Sequence, residues 1–287
     1  MILLRLKKIY LINSLTDFFI ILINFFLRKI CLKNNLILTS LNRHKKKIIK
    51  YYSELVNYKV QNGLYKGIHL EENKKEYFNF SAKLIGCYEE IVQEAIHKII
   101  NKQKINYFYN LGCCEGYHFI GNVKKNNFIK SYATDIDKSA LKVLENNLKL
   151  NKINTKNIFI SCNYNLKKII EDGIKFHETL FLIDIEGDEI NFFNHENINN
   201  YIKSYFIIEF HYNYINFFRK LFNNEKEKIF YELIMNNFKV EIIKKKFKTH
   251  PLNYFNNSNV FNEDDKYLLI SESTHSEMIW ILLTPKN

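Results

Sequence analysis

The chain has 287 residues, of which 47% are hydrophobic, 15% aromatic and 25% charged. This composition excludes a wholly disordered chain and a fibrous one, and it favours a globular protein with a sizeable core. The formal net charge is +12, and the first sixty residues hold twelve Lys or Arg against two acidic residues, so the remainder is close to neutral. Nucleic acid is therefore not favoured as a partner, because a domain that binds nucleic acid needs a basic face. Five cysteines without a CxxC pair indicate a reducing, cytoplasmic compartment.

The first predicted element is an amphipathic helix over residues 9–27. Asn13, Asp17 and Asn24 fall on one stripe at helical spacing. Asp17 is costly inside a bilayer, and no small-residue cleavage site follows. Three placements stay open: a helix packed on the domain or on a second subunit of a homodimer, an interfacial membrane helix, and a membrane span. With the basic run at residues 42–50, this arm predicts a peripheral membrane contact through residues 1–50.

From about residue 105, short β-rich runs alternate with helical stretches. Such alternation indicates an α/β fold, with a doubly wound and mostly parallel sheet covered on both faces. Strands are predicted over residues 105–111, 128–135, 157–162, 179–185, 205–210, 238–243 and 278–283. Helices are predicted over residues 117–124, 137–151, 166–171 and 214–236.

The first strand runs into the sequence NLGCCEG, Asn110 to Gly116. Its glycines, Gly112 and Gly116, are spaced GxxxG, whereas a dinucleotide loop has GxGxxG, which argues against NAD. Asp135, at the end of the second strand, is placed to bind a ribose diol. A ribose-binding acid without a pyrophosphate loop points to S-adenosylmethionine, whose carboxylate would meet the helix after Gly116. The alternative is structural: Gly112 closes a tight turn, and Asp135 caps the helix that begins near Lys138.

Six segments carry a family resemblance: LIGCYEE (84–90), NLGCCEGYHFIG (110–121), YATDIDKSALKVLENNLKLN (132–151), LIDIEGDE (182–189), IIEFH (207–211) and SEMIWILLTPKN (276–287). They resemble class I S-adenosylmethionine-dependent methyltransferases of the FkbM-like group, and LIDIEGDE is the most specific of them. The resemblance covers residues 63–287. It implies a seven-stranded, Rossmann-like methyltransferase domain over residues 105–287, a helical lead-in over residues 63–104 that covers the cofactor site, and a separate arm over residues 1–62.

The predicted cofactor site combines the loop chemistry with this resemblance. Tyr88 and Glu89 are implied to close over the cofactor, although an ordinary amphipathic helix is the alternative there. Two departures stand out, because the family has Asp where this chain has Asn110, and Cys113 and Cys114 replace small residues. The candidate cofactor-binding residues are Tyr88, Glu89, Asn110, Gly112, Glu115, Gly116, Asp135, Asn163 and Asp184.

Polar side chains follow two neighbouring strands. Asp184 and Glu186 end one strand, and Glu209 and His211 end the next, so all four should converge at one sheet edge. Methyl transfer to a hydroxyl needs alignment and a base, and His211 is the first choice because its unperturbed pKa is near neutrality. Glu186 is the second. Two alternatives stay open for these four residues: they could shape loops, or they could hold a divalent ion. The site as predicted contains no metal.

The predicted function is O-methylation of a hydroxyl by S-adenosylmethionine, with a small molecule or glycan as acceptor. The prediction that this acceptor is a sugar of a surface polysaccharide or glycolipid rests on the resemblance alone. The alternatives are an RNA or protein methyltransferase and a catalytically silent methyltransferase-fold binding module. The expected location is the cytoplasm, with membrane association through the arm.

Overall fold

The computed structural model describes residues 36–72, 77–243, 251–255, 260–272 and 279–286, together with Phe19, Leu22 and Ile23. The chain divides into two compact units, Met1–Tyr52 and Ser53–Asn287. The amphipathic helix predicted over residues 9–27 lies outside the described residues, apart from those three. The division into residues 1–62, 63–104 and 105–287 stays a prediction.

The basic run of the arm lies on a long helix, α1 (Leu36–Leu55). Arg43, Lys46, Lys47 and Lys50 are exposed on it. In the part of the chain that the structure describes, no helix combines the length and the apolar run needed to cross a bilayer. Contact of the arm with a membrane stays a prediction.

Helices and strands then alternate along the second unit, and the strands begin and end within two residues of their predicted bounds. The elements are α2 (Tyr77–Ile85), α3 (Glu90–Lys102), β1 (Tyr107–Leu111), α4 (Tyr117–Lys125), β2 (Lys130–Thr134), α5 (Lys138–Leu150), β3 (Ile158–Ser161), α6 (Leu166–Glu171), β4 (Thr179–Ile183), α7 (Ile198–Tyr201), β5 (Tyr205–Phe210), α8 (Tyr214–Phe218), α9 (Glu225–Asn237), β6 (Phe238–Ile243), α10 (Glu263–Ile270) and β7 (Ile279–Pro285).

The strands form a seven-stranded sheet in the order β3-β2-β1-β4-β5-β7-β6. Strands β1 to β5 are parallel, and β7 is antiparallel to both β5 and β6. All five residues of β1 and of β4 are buried, as strands covered on both faces require. The predicted doubly wound, mostly parallel sheet is confirmed. Its order reverses between β1 and β4, so a crevice for a ligand is expected at their carboxyl ends.

An in-register row of aromatic rings crosses one face of the sheet. Phe159, Tyr132, Tyr109, Phe181 and Phe206 pair in turn on β3, β2, β1, β4 and β5. Successive ring centroids lie 4.9, 5.1, 5.7 and 4.8 Å apart, in stacked pairs. A slip of one residue in any strand would send its ring to the opposite face, so this row favours the observed register.

The helical region predicted over residues 214–236 is interrupted. Lys220 has a φ of 62°, a left-handed conformation that an α-helix interior excludes. The Asn224 side chain then accepts the backbone N–H of Glu227 at 3.0 Å, which caps α9. Asparagine is so abundant in this chain that a single Asn is a weak capping signal, and the apolar pattern alone does not reveal the break.

Candidate active site

A cavity of about 380 Å³ opens at the carboxyl ends of β1, β2, β4 and β5, where the strand order reverses. Most of the predicted site residues line it: Tyr88, Glu89, Asn110, Gly112, Glu115, Asp135, Asp184, Glu186 and Glu209. Gly116 and His211 adjoin these residues without lining the cavity. The fold thus brings nearly all the candidates from the sequence to one place.

Gly112 lets the loop after β1 pack directly on the end of β4. Its φ is 71°, and a Cβ built on it would lie 1.5 Å from the backbone oxygen of Asp184. The Gly112 N–H also donates to the Thr134 carbonyl at 2.8 Å. A glycine is therefore required here because two backbone segments touch, whether or not a ligand also approaches the loop. The same contact sets Asp184 beside the loop.

Asp135 links the cofactor loop to the start of α5. Its Oδ2 accepts the backbone N–H of Cys114 at 2.8 Å, and its Oδ1 accepts that of Asp137 at 2.8 Å. The cap of α5 is Asp137, which accepts the Ser139 N–H at 2.9 Å, so the capping alternative for Asp135 is wrong. Each Asp135 oxygen keeps a further lone pair, and because Asp135 lines the cavity, a hydroxyl bound there can donate to it.

A carboxylate–imidazole pair, Glu89 with His118, also lines the cavity, and the sequence prediction included only Glu89 of the two. His118 Nε2 lies 2.7 Å from Glu89 Oε2, and Glu89 is buried with a φ of 44°. Asn110 is also buried, and its Nδ2 donates to the Leu182 carbonyl at 3.4 Å. The sequence could have indicated His118, because it lies in the first turn of the helix after Gly116, where the cofactor's carboxylate was expected.

A buried ion pair holds the loop after β1 against α2. Lys83 Nζ lies 2.5 Å from Glu115 Oε1, with side chains 4% and 1% exposed. Burial by itself raises the pKa of Glu115, but the charge of Lys83 and the hydrogen bonds from Cys114 and Lys83 outweigh it, so the pKa is lowered. Lys83 was not a predicted site residue, because a pairing over 32 positions leaves no local signal.

This ion pair predicts a pH-dependent stability. The lowered pKa of Glu115 stabilises the fold above the ordinary value of 4.5, and that contribution is lost as the pH falls below it. At neutral pH, Glu115→Gln should lower the free energy of unfolding by about 3–5 kcal/mol, because the carboxylate that pairs with the buried charge of Lys83 is lost. Urea unfolding at about pH 7 and about pH 3 measures this, and the deficit should shrink in acid. The double variant Lys83→Met/Glu115→Gln should recover most of the loss. A single variant as stable as the parent at neutral pH contradicts the account.

Four side chains converge at the ends of β4 and β5. His211 Nε2 lies 3.7 Å from Asp184 Oδ1 and 3.5 Å from Glu186 Oε2. The same nitrogen lies 3.9 Å from Glu209 Oε2. The expected convergence is observed, but by another route. Strand β4 ends before Asp184, and Glu186 has a φ of 54°, so a turn and not an extended strand brings its exposed carboxylate to His211.

Glu189, which the sequence prediction did not single out, orients the imidazole. Its buried Oε1 accepts His211 Nδ1–H at 2.8 Å. The same oxygen accepts the backbone N–H groups of Ile185 and Gly187 at 3.2 and 3.1 Å. Glu189 therefore ties the turn after β4 to the end of β5, and it leaves Nε2 as the nitrogen that faces the other carboxylates. Its signal was present, as the last glutamate of LIDIEGDE.

Burial and mutual charge shift the titration of this group. Burial alone lowers the pKa of His211, but the hydrogen bond to Glu189 and the surrounding negative charges outweigh it, so the pKa is raised. Burial, followed by the charge of Glu89, raises the pKa of Asp184 to about 7. Burial, followed by the charge of Asp184, raises the pKa of Glu209 far more. The group therefore retains protons at neutral pH.

His211 Nε2 is fully buried and forms no hydrogen bond within the described residues. An acceptor in the cavity meets Asp184, Glu186 or Glu209 before it meets the imidazole. Direct proton transfer to His211 therefore requires these side chains to move, and its role as general base stays a prediction.

Asn163 lies at a second cavity, of about 400 Å³, whose lining includes Tyr109 and Tyr132. Its carbonyl accepts the Ser161 hydroxyl at 2.8 Å. Asn163 does not line the cavity that most of the other candidate cofactor residues line, and its contact with the cofactor stays a prediction.

No protein-family model and no curated protein matches this sequence. Solved structures do match. An O-methyltransferase from Bacillus cereus in complex with SAH is 8% identical over 91% of this chain and 96% of that chain, with a TM-score of 0.42. A SAM-dependent O-methyltransferase from Thermotoga maritima is 11% identical over 69% of this chain and 66% of that chain, with a TM-score of 0.42. Precorrin-6y C5,15-methyltransferase from Geobacter metallireducens is 12% identical over 69% and 89%, with a TM-score of 0.41.

The fold assignment rests on the strand order of the chain itself. The FkbM-like resemblance gains no support from the comparisons and rests on the sequence motifs alone.

Proposed function

We propose that this chain is an S-adenosylmethionine-dependent methyltransferase that methylates a hydroxyl oxygen. The observation that carries the proposal is a single cavity at the reversal of the strand order. One side of it is the loop after β1 with Asp135, and the other is the group of Asp184, Glu186 and Glu209. A donor held on the first side would present its methyl group to an acceptor on the second.

The charge of the cavity suits this cofactor. S-adenosylmethionine carries a sulfonium and an ammonium, and carboxylates dominate the lining: Glu89, Glu115, Asp135, Asp137, Asp184, Glu186 and Glu209. Lys83, which also lines the cavity, is paired with Glu115. The uncharged Asn110 does not add to this field. Ile136, next to Asp135, is 91% exposed and offers an apolar surface to a purine face.

The reaction requires little covalent help from the protein. The acceptor oxygen attacks the methyl carbon, the carbon–sulfur bond breaks, and the sulfur keeps the electron pair. The acceptor's proton passes to Asp184, Glu186 or His211, whichever is unprotonated at the working pH. The raised pKa of Asp184, about 7, makes its carboxylate a stronger base than an ordinary one. Alignment of donor and acceptor supplies the remaining catalysis.

The proposed acceptor is a hydroxyl of a sugar in a surface polysaccharide or glycolipid. Its support is the set of FkbM-like sequence motifs. A basic arm that meets a membrane would place the enzyme near lipid-linked sugars; this contact and a homodimer both stay predictions.

Asp135→Ala tests the placement of the cofactor. The variant should lose about 1–3 kcal/mol of binding free energy for S-adenosylmethionine, roughly 5–150-fold in Kd, because the ribose hydroxyls lose an acceptor. Isothermal titration calorimetry measures this. Asp172→Ala is a matched control, since Asp172 accepts the Tyr132 hydroxyl at 3.0 Å and does not line the cavity. A folded Asp135→Ala variant that binds as tightly as the parent contradicts the placement.

A further inference from the structure

Two buried polar atoms face each other at the ends of β4 and β5. His211 Nε2 and Asp184 Oδ1 are fully buried, lie 3.7 Å apart and form no hydrogen bonds within the described residues. Glu186 Oε2 lies 3.5 Å from the same nitrogen. Buried polar atoms are nearly always paired, so two that meet without pairing point to a partner of another kind.

The spacing of these atoms suits ligands of one metal ion. Donor atoms of Asp184, Glu186 and His211 all lie within 4.8 Å of one another. Two ligand atoms that are each about 2.1 Å from one ion, at a tetrahedral angle, are themselves about 3.4 Å apart. The observed 3.5 and 3.7 Å are close to this separation and longer than a hydrogen bond.

The surroundings also fit a cation. Glu189 accepts His211 Nδ1–H, the outer contact that typically orients a metal-binding imidazole. Glu189 and Glu209 add two more carboxylates to the group, with side chains 0% and 5% exposed. In the described part of the chain, no lysine or arginine forms an ion pair with any of the four carboxylates.

We propose that Asp184, Glu186 and His211 bind one divalent transition-metal ion at the wall of the cavity. An imidazole with two carboxylates favours ions such as Mn²⁺, Co²⁺ or Zn²⁺ over Mg²⁺ and Ca²⁺, which prefer oxygen ligands alone. Glu186 is 87% exposed, so the site is open on the side of the cavity. Resting on the proposed function, this ion would hold the acceptor hydroxyl and lower its pKa. The buried imidazole would then act through the ion, without contact with the acceptor.

Cobalt titration of the full-length, tag-free protein tests the site directly. After treatment with a chelator, the protein should bind one Co²⁺ per chain and develop visible absorption. Glu186→Gln and His211→Gln should each weaken binding by at least roughly 10–100-fold, and His211→Gln should also shift the spectrum because a nitrogen ligand is lost. Asp137→Asn is the matched control: this carboxylate lines the same cavity, and asparagine caps a helix equally well. Its cobalt affinity should equal that of the parent.

The proposal is overturned by a folded parent that binds no Co²⁺ at millimolar concentration, or by Glu186→Gln binding as tightly as the parent. Glu186 is exposed, so its variant should fold even if a change at His211 does not. S-adenosylmethionine binding, measured on the same samples, separates the two proposals. Cobalt binding without cofactor binding would contradict only the proposed function. Cofactor binding without cobalt binding would contradict only the metal site.

Discussion

Gly112→Ala should leave little folded protein. The new Cβ would lie 1.5 Å from the Asp184 carbonyl oxygen, a backbone atom that cannot turn aside as a side chain would. Relieving the clash requires the loop after β1 to separate from β4 at the centre of the sheet. We expect a loss of more than about 4 kcal/mol in the free energy of unfolding, the range of severe single substitutions.

A second glycine separates this clash from backbone strain. Gly173 has a φ of 72°, against 71° for Gly112, and a Cβ on it would meet nothing within 4 Å. Gly173→Ala should therefore cost only the left-handed conformation, about 1–2 kcal/mol. Urea denaturation of both variants gives the comparison. If both variants lose the same free energy of unfolding, the contact with Asp184 is unimportant. Gly112 would then serve only to close its own tight turn, which is the alternative given in the sequence analysis.

His211→Ala should lower turnover by roughly 10²–10⁴-fold and leave the affinity for S-adenosylmethionine unchanged. His211 does not line the cavity, but its Nε2 faces the three carboxylates that do. The imidazole acts either by accepting a proton or by holding an ion, and both need the lone pair of its neutral form. The readout is S-adenosylhomocysteine released with a hydroxylated acceptor, beside calorimetry of the cofactor.

The pH profile carries the same prediction. The pKa of His211 is raised above its ordinary 6.5, so activity should fall as the pH drops through that raised value. His118→Ala is the contrasting variant, because His118 lines the cavity beside Glu89 and should alter cofactor affinity instead. Full turnover in His211→Ala, with an unchanged pH profile, contradicts both roles for the imidazole.

Local patterns of apolar residues in the sequence were sufficient to predict the strands of the sheet. The apolar runs of strands such as Thr179–Ile183 and Tyr205–Phe210 lie where they were predicted, because a strand buried on both faces must be apolar throughout. The ends of these strands then located the candidate site. The break at Lys220 was missed, since a left-handed residue leaves no trace in an apolar pattern.

The contacts that define the site are between residues far apart in the chain. Glu189 was visible in its motif, but its bond to His211 spans 22 positions. Lys83 and Glu115 pair over 32 positions, and the reason for Gly112 lies at Asp184. Spacing along the sequence identified which residues carry chemistry, whereas only the packed fold shows which of them meet.

Hydrogen exchange with and without S-adenosylmethionine tests the central claim most directly, because it reports binding and location together. The account predicts that saturating cofactor slows exchange of the backbone amides over residues 112–116 and 135–137, at the edge of the cavity between β1 and β2. Exchange should be unchanged over residues 225–237, on helix α9. Unchanged exchange throughout a folded chain would contradict the proposed use of S-adenosylmethionine, and protection confined to the second cavity around residues 158–169 would contradict the placement of the cofactor.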